Sequence, residues 1–291
     1  MPGPEFHLAL DTTGGWIYRR AMNEMLIAGG LMLAGFALRT FASVWLGRIG
    51  NLTVLCGTYL AAMALFHSVG LAVAVTSLWL VIPAARVWWT AQHFELPLDK
   101  RFTSRRAPSR EDFPQLAELT REFTGEGFVV VEDVGWQSEH WDQFSRLLVN
   151  EDQQVQGSIH YHRQGSGSLV YVSLISRTAD GRQWTTWNYP YRLGLKVPPE
   201  MILNCEPDAH SLSDLLARHE TFVARKTAAA KILPPEPERL VEMTQDELCR
   251  QIDHNLDAGL LQLSGAGNFT YSWRGTLYVL RQFLIDLLRY P

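Results

Sequence analysis

LTVLCGTYLAAMALFHSVGLAVAVTSLWLVIPAARVWW, residues 52–89, decides the fold class of this chain. The stretch carries one formally charged side chain, Arg86. As a single helix it would be about 57 Å long, nearly twice the roughly 30 Å thickness of a bilayer's hydrocarbon core. We therefore expect the chain to turn back within it. The motif His67-Ser68-Val69-Gly70 favours a break at that point, because glycine permits a turn.

A second apolar stretch precedes the first. Residues 25–46 are apolar apart from Arg39, Thr40 and Ser43, and are long enough to cross a membrane. Together the two stretches predict an α-helical membrane anchor at residues 25–90 with two to three transmembrane helices. Three spans would lie at about 25–46, 51–68 and 71–89. The alternative is two spans with a re-entrant or interfacial segment.

Small residues recur four positions apart in the apolar region, at Gly30 and Ala34 and again at Gly57 and Ala61. Such pairs let two helices approach closely in lipid. The same spacing also arises by chance in any Ala- and Gly-rich span, so it does not by itself predict a specific helix partner.

Basic residues follow the apolar region and predict its orientation. They are Arg86, Lys100, Arg101, Arg105, Arg106 and Arg110. Because basic flanks remain in the cytoplasm, we expect an integral protein of the inner or plasma membrane with a cytoplasmic C-terminal domain. The residues predicted at the membrane interface are Trp88, Trp89, Arg101, Arg105 and Arg106. Residues 1–24 form an N-terminal segment, in which Arg19 and Arg20 are typical of an uncleaved signal-anchor.

Charge and cysteine content exclude some classes of function. The formal net charge is -4, whereas nucleic-acid-binding proteins usually have a strongly basic surface, so we expect no nucleic-acid partner. The three cysteines are widely spaced and lack a Cys-x-x-Cys pattern, which argues against a disulfide framework.

A soluble α+β domain is predicted at residues 113–232, after a basic juxtamembrane linker at residues 91–112. Turn residues such as Ala179-Asp180-Gly181 separate short stretches with strand character. These stretches are 128–134, 144–149, 155–163, 169–178 and 182–189. Short connections make neighbouring strands antiparallel, so the pattern predicts a sheet meander. Helices cover the sheet, one at 113–123 and one capped by Ser211.

Residues 238–291 are predicted to form a helical C-terminal subdomain. Thr244-Gln245-Asp246-Glu247 matches a capping box and predicts a helix start at Thr244. A hairpin around Gly265-Ala266-Gly267 and an apolar final helix follow. A helix, Ala258-Gly259-Leu260-Leu261, a hairpin and Tyr271-Ser272-Trp273-Arg274-Gly275 resemble, in that order, the wing region of winged-helix domains. The resemblance covers this segment alone and lacks a basic recognition helix, so it implies a shape and not DNA binding.

Two histidines on one predicted strand carry the main chemical hypothesis. His160 and His162 are two apart, so a strand points both imidazoles to one face. Two such histidines can hold a metal if the fold supplies further ligands. The bland alternative is a polar sheet face. The sequence contains no recognisable catalytic, phosphate-binding or cofactor motif, so we expect no catalytic residue and no cofactor.

Tryptophans suggest a surface for partners. Trp184 and Trp187 are three apart on a strand and face opposite sides of the sheet, which leaves one of them available for a partner. Trp273 opens the final helix and completes the predicted interaction set. We therefore expect an accessory or scaffolding subunit of a membrane assembly, with other membrane subunits and lipid as partners. The alternatives are a ligand-sensing membrane protein and a metal-dependent enzyme that uses His160 and His162.

Overall fold

The structure is a computed structural model that describes residues 12–41, 44–97, 101–137, 141–164, 167–189, 194–226, 231–265 and 267–289. The chain divides into two compact units, one of residues 1–89 with 283–291 and the other of residues 90–282.

The helices are α1 (Thr12–Arg39), α2 (Val44–Phe66), α3 (Val69–Gln92), α4 (Leu116–Gly125), α5 (Leu212–Lys226), α6 (Leu240–Asp257) and α7 (Trp273–Arg289). A 3-10 turn at Pro237–Arg239 precedes α6. The longer strands are β3 (Val129–Gln137), β4 (Trp141–Asn150), β5 (Val155–Gln164), β6 (Gly167–Thr178), β7 (Gln183–Trp187) and β8 (Met201–Cys205). The short strands are β1 (Glu95–Pro97), β2 (Thr103–Ser104), β9 (Ile232–Leu233), β10 (Leu261–Leu263) and β11 (Asn268–Tyr271).

The first unit contains the apolar helices. In the described residues two helices are long and apolar enough to cross a membrane, Trp45–Phe66 and Val69–Gln92. The helix break falls at His67 and Ser68, inside the predicted segment. The first predicted span, 25–46, is wrong in its boundary, because α1 ends at Arg39 and α2 starts at Val44.

Helices α1 and α2 pack closely and antiparallel. A Cβ atom added to Gly35 would lie 2.7 Å from the carbonyl oxygen of Gly50, and one added to Gly57 would lie 2.9 Å from that of Ala28. Gly57 is therefore at a helix contact. At Gly30, nothing in the described residues lies within 4 Å of an added Cβ.

The second unit is built on a mixed sheet with the strand order β2-β3-β4-β5-β6-β7-β8, and β9 pairs with β6. Strands β3 to β7 form the predicted antiparallel meander, which is confirmed. Strand β8 pairs parallel to β7 and was not predicted, because it lies in the Pro-rich crossing between residues 190 and 207.

Helices α4 and α5 cover one face of this sheet. The core between them contains Phe123, Phe144, Leu148, Ile159, Leu174 and Leu215, all 2% exposed or less. The Ser211 hydroxyl accepts a hydrogen bond from the Asp214 N–H at 3.2 Å, so the predicted cap of α5 is confirmed. Helix α6 covers part of the other face, where Leu240 packs with Val134, Leu147 and Val149.

The capping box predicted at Thr244 is wrong. Helix α6 begins at Leu240, and Thr244 lies one turn inside it with its hydroxyl bonded to the Leu240 carbonyl at 2.8 Å. Leu240 is fully buried, and burial of this side chain against the sheet draws the helix start toward the N-terminus.

A small sheet with the order β1-β11-β10 completes the second unit. The hairpin predicted around residues 265–267 is confirmed by β10 and β11. Strand β1 pairs with β11, so the predicted juxtamembrane linker takes part in the fold, as does β2 through its pairing with β3. A cluster of Ala91, Ile252, Leu261, Phe269 and Tyr271 lies beneath this sheet.

Candidate functional site

The face of the main sheet that α4 and α5 do not cover carries an unusual row of polar side chains. Register pairing places Ser145 opposite His160, His160 opposite Tyr171, and Ser173 opposite Trp187. Because side chains alternate along a strand, these five residues share one face. The row crosses β4, β5, β6 and β7, so four strands assemble it.

His160 is held between two serines of the neighbouring strands. The Ser145 hydroxyl lies 2.9 Å from Nδ1 of His160, and the Ser173 hydroxyl lies 2.9 Å from Nε2. Burial, with a smaller contribution from the nearby His162, lowers the pKa of His160 to about 3. The imidazole is therefore neutral at ordinary pH, with one ring nitrogen donating to a serine and the other accepting from one.

Aromatic rings pack on this histidine. The Tyr171 ring stacks on the His160 ring with centroids 4.5 Å apart, and its hydroxyl lies 3.3 Å from Nε2 of His162. The ring centroids of Trp187 and Tyr189 lie 6.2 and 5.0 Å from that of Tyr171. Burial raises the pKa of Tyr171 above its usual value, so the phenol remains protonated and can donate to His162.

The same geometry bears on the metal hypothesis. His160 and His162 lie on one face as predicted, with ring centroids 6.3 Å apart. Both nitrogens of His160 already face serine hydroxyls. Across the ranges that the structure describes, no three His, Cys, Asp or Glu side chains come together as a metal site. A metal at His160 and His162 stays a prediction.

A second histidine repeats the arrangement on the opposite face. His219 of α5 is 1% exposed, with Nε2 at 3.0 Å from the Ser176 hydroxyl and Nδ1 at 2.9 Å from the Thr186 hydroxyl. Burial lowers its pKa to about 4. Two neutral histidines thus bind to the sheet, His160 from β5 and His219 from α5, and each links hydroxyls from two strands.

A cavity of about 120 Å³ lies on the α4 and α5 face. Its apolar wall consists of Leu119, Phe123, Val172, Ala209, Leu212 and Leu215, and polar groups of Glu122, Asn188, His210 and Ser211 complete it. An apolar cavity of about 150 Å³ can hold a benzene-sized molecule, so this one has room for a slightly smaller group.

The predicted interaction tryptophans divide into buried and exposed. Trp184 and Trp187 point to opposite faces, as expected, but both are buried, at 2% and 6% exposure. Trp184 packs on Phe222 of α5, and the Trp187 indole N–H donates to Sγ of Cys205 at 2.9 Å. Neither is available to a partner in this structure. Trp273 is 62% exposed, and its role in an interaction stays a prediction.

The predicted membrane-interface residues differ in their exposure to solvent and in their contacts. Trp89 is 66% exposed, Trp88 is half-buried, and Arg101 and Arg106 are exposed. Arg105 is bound within the sheet domain, where it forms an ion pair with Asp142 and donates to the Gln143 carbonyl at 3.0 Å. Its charge is therefore already partnered.

Several residues of these clusters had no signal in the sequence. Ser145, Ser173, Tyr171 and His219 acquire their roles only through strand pairing and helix packing. The alternating polar residues of β5 were the available signal, since they indicated a polar sheet face without indicating its partners.

Comparison of the chain with protein-family models, with curated proteins and with solved structures finds no significant match.

Proposed function

We propose that the protein is a membrane-anchored accessory or scaffolding subunit of a larger membrane protein assembly, which acts through protein–protein contacts of its C-terminal domain. The observation that carries this proposal is the exposure of α3. Only 6% of its candidate span is buried, although the helix is apolar on all sides. Such a surface requires lipid or neighbouring helices around it.

A polar contact supports α3 as part of a helical anchor. The Trp79 indole N–H donates to the Thr58 hydroxyl of α2 at 3.1 Å, and the Phe36 ring of α1 lies 6.4 Å from the Trp79 ring. Hydrogen bonds between helices are favoured in hydrocarbon, where water does not compete for the polar groups.

The orientation proposed for the anchor places the C-terminal domain in the cytoplasm. Arg101, Arg106 and Arg110 follow α3 closely and are exposed, so they are available to anionic headgroups. Arg105 no longer contributes to this set because Asp142 partners it. The flank after α3 still carries more basic residues than any other flank of the apolar region.

The polar groups of the sheet domain support a scaffolding role, because they bond within the domain. His160, His219 and Arg177 all bond to neighbouring strands or helices. Val129 and Val130 at the start of β3 are 66% and 38% exposed and, as neighbours in a strand, lie on opposite faces of the sheet. Each offers an apolar side chain that a protein partner can cover.

The test is purification of the full chain from its native membrane in mild detergent, with particle mass and co-purifying proteins determined by mass spectrometry. Stoichiometric membrane subunits are the expected result. A lone monomer or a homo-oligomer would overturn the assignment as an accessory subunit. Loss of the partners in a Val129→Glu, Val130→Glu variant would identify the sheet domain as the contact.

The cavity favours a second candidate, a ligand-sensing membrane protein. Apolar side chains with a few polar groups among them are the usual lining of a small-molecule site, and about 120 Å³ limits this one to a small ligand. Ligand binding raises the unfolding temperature of the full chain, so a thermal-shift screen tests this function. A Leu212→Trp variant, in which the indole fills the cavity, is the matched control and should lose any shift.

A further inference from the structure

Helix α7 has one buried side and one exposed apolar side. Gly275 and Asp286, about half a helical turn away from the exposed side, are buried. Four apolar side chains on the other side are exposed: Trp273 at 62%, Leu277 at 43%, Leu284 at 39% and Leu287 at 44%. At 3.6 residues per turn these four positions fall in one stripe along the helix. We call them the α7 stripe.

The first turns of α7 are fixed to the end of α3. The Gln92 side-chain amide donates to the Thr276 hydroxyl at 2.9 Å. Ala91 lies in the cluster that Val279 packs against, and β1, which follows α3 almost directly, pairs with β11, which leads into α7. A Cβ on Gly275 would lie 2.0 Å from the Leu260 carbonyl oxygen, so the helix start is held tightly on its buried side.

Charge is distributed on α7 as on a helix at a bilayer surface. Arg274 and Arg281 are exposed and lie along one edge of the α7 stripe. The helix has a single carboxylate, Asp286, which is on the buried side. An apolar stripe bordered by arginines matches the boundary between acyl chains and anionic headgroups.

We propose that α7 is an interfacial helix, with its stripe inserted at the headgroup boundary of an anionic lipid bilayer on the side where α3 ends. The inference rests on the proposed membrane anchoring and adds a second contact with lipid. If α3 crosses the bilayer, Gln92 marks the point where it leaves the hydrocarbon. Because Thr276 bonds to Gln92, the first turn of α7 lies at that level. The connection to α3 therefore places the α7 stripe next to a lipid surface.

The experiment uses the full chain in vesicles of phosphatidylcholine and phosphatidylglycerol. In a background with Cys56→Ala, Cys205→Ser and Cys249→Ala, single cysteines carry an environment-sensitive fluorophore. The stripe positions are Leu277→Cys and Leu284→Cys. Gln282→Cys, on the other side of α7, is the matched control, and Leu80→Cys reports on α3. The quencher is phosphatidylcholine with a nitroxide near the headgroup end of its acyl chain.

The expected result is several-fold stronger quenching at residues 277 and 284 than at residue 282. Equal weak quenching at all three positions, with strong quenching at residue 80, would overturn the interfacial helix and leave the anchor intact. Such a result would mean that a protein covers the stripe. Absence of quenching at residue 80 as well would overturn both the anchor and the inference.

Lipid charge provides the second readout. With Arg274→Gln and Arg281→Gln together, quenching at residue 277 should lose its dependence on phosphatidylglycerol. In that variant, only the apolar stripe would hold α7 at the interface. If quenching at residue 277 does not depend on phosphatidylglycerol in the unmodified chain either, the anionic-lipid part of the proposal is wrong.

Discussion

Arg177 of β6 and Glu247 of α6 form an ion pair that is largely withdrawn from solvent, with the two side chains 15% and 11% exposed. Arg177 also donates to the Gln156 side chain at 2.7 Å, and Gln183 donates to Glu247 at 3.3 Å. The pair thus fixes α6 to the sheet as the middle link of a chain of bonds that runs from Gln156 to Gln183. A buried charge that loses its partner is costly, so this contact makes the position of α6 specific.

Replacement of one partner should destabilise the domain strongly. Glu247→Ala leaves the Arg177 guanidinium buried without its counter-charge, and we expect a loss of about 3–5 kcal/mol in the free energy of unfolding. Urea titration of the full chain in detergent, followed by tryptophan fluorescence, measures it. The control is Glu242→Ala, since Glu242 and its partner Arg239 are 64% and 58% exposed. That change should cost no more than about 1 kcal/mol. Equal losses in the two variants would contradict a special role for the buried pair.

The two neutral histidines predict a loss of stability in mild acid. The folded-state pKa is about 3 for His160 and about 4 for His219, below the ordinary 6.5 of an unfolded histidine. Between pH 6.5 and 4 the unfolded chain therefore binds more protons than the folded chain, and stability falls as the pH falls. Each histidine contributes about 1.4 kcal/mol per pH unit inside this window. Urea midpoints at a series of pH values measure the slope.

A matched variant separates these histidines from other groups. His219→Gln keeps hydrogen-bonding atoms near Ser176 and Thr186 but does not titrate, so it should reduce the slope by about half. The carboxylates with lowered pKa, Asp112, Asp180 and Asp214, lose their effect only below about pH 4. An unchanged slope in the His219→Gln variant would show that His219 does not control the acid response.

The sequence predicted the parts of the fold that depend on local signals. Asp180-Gly181 places Gly181 at φ 81°, a conformation that glycine adopts readily, and the hairpin of β6 and β7 follows from it. The break at His67 and the cap at Ser211 are local in the same sense. Strand β8 had no such signal, because parallel pairing to β7 depends on a crossover and not on a turn.

The candidate site shows the same division. One face for His160 and His162 follows from strand periodicity. Their partners Ser145, Ser173 and Tyr171 are 9 to 15 residues away along the chain and meet them only through register. The burial of Trp187 likewise depends on Tyr171 and Tyr189 packing around it. Such contacts are decided by tertiary packing, which no local pattern encodes.

The hydrogen bond between Gln92 and Thr276 should control local opening of α7. Thr276→Val keeps the side-chain shape but removes the acceptor, at a cost of about 1 kcal/mol. Backbone hydrogen exchange at residues 273–282 should then accelerate about fivefold, since 1 kcal/mol corresponds to that factor. Thr221→Val is the control, because that hydroxyl bonds only to its own helix at Ala217 and is exposed. Equal exchange at α7 in the parent and the Thr276→Val chain would contradict the contribution of this bond.

The close approach of α1 and α2 makes Gly50 intolerant of a side chain. A Cβ at Gly50 would lie 2.7 Å from the Gly35 carbonyl oxygen, which is backbone and cannot rotate away. Gly50→Val must therefore separate the two helices, and we expect a loss of about 1–3 kcal/mol. Gly30→Val is the matched control, because nothing lies within 4 Å of a Cβ there and valine is the better helix former. Titration of the full chain from mild detergent into dodecyl sulfate, followed by circular dichroism, compares the two. Unfolding of Gly50→Val at lower dodecyl sulfate than Gly30→Val is the expected result, and the reverse order would contradict packing of α1 on α2 at this glycine.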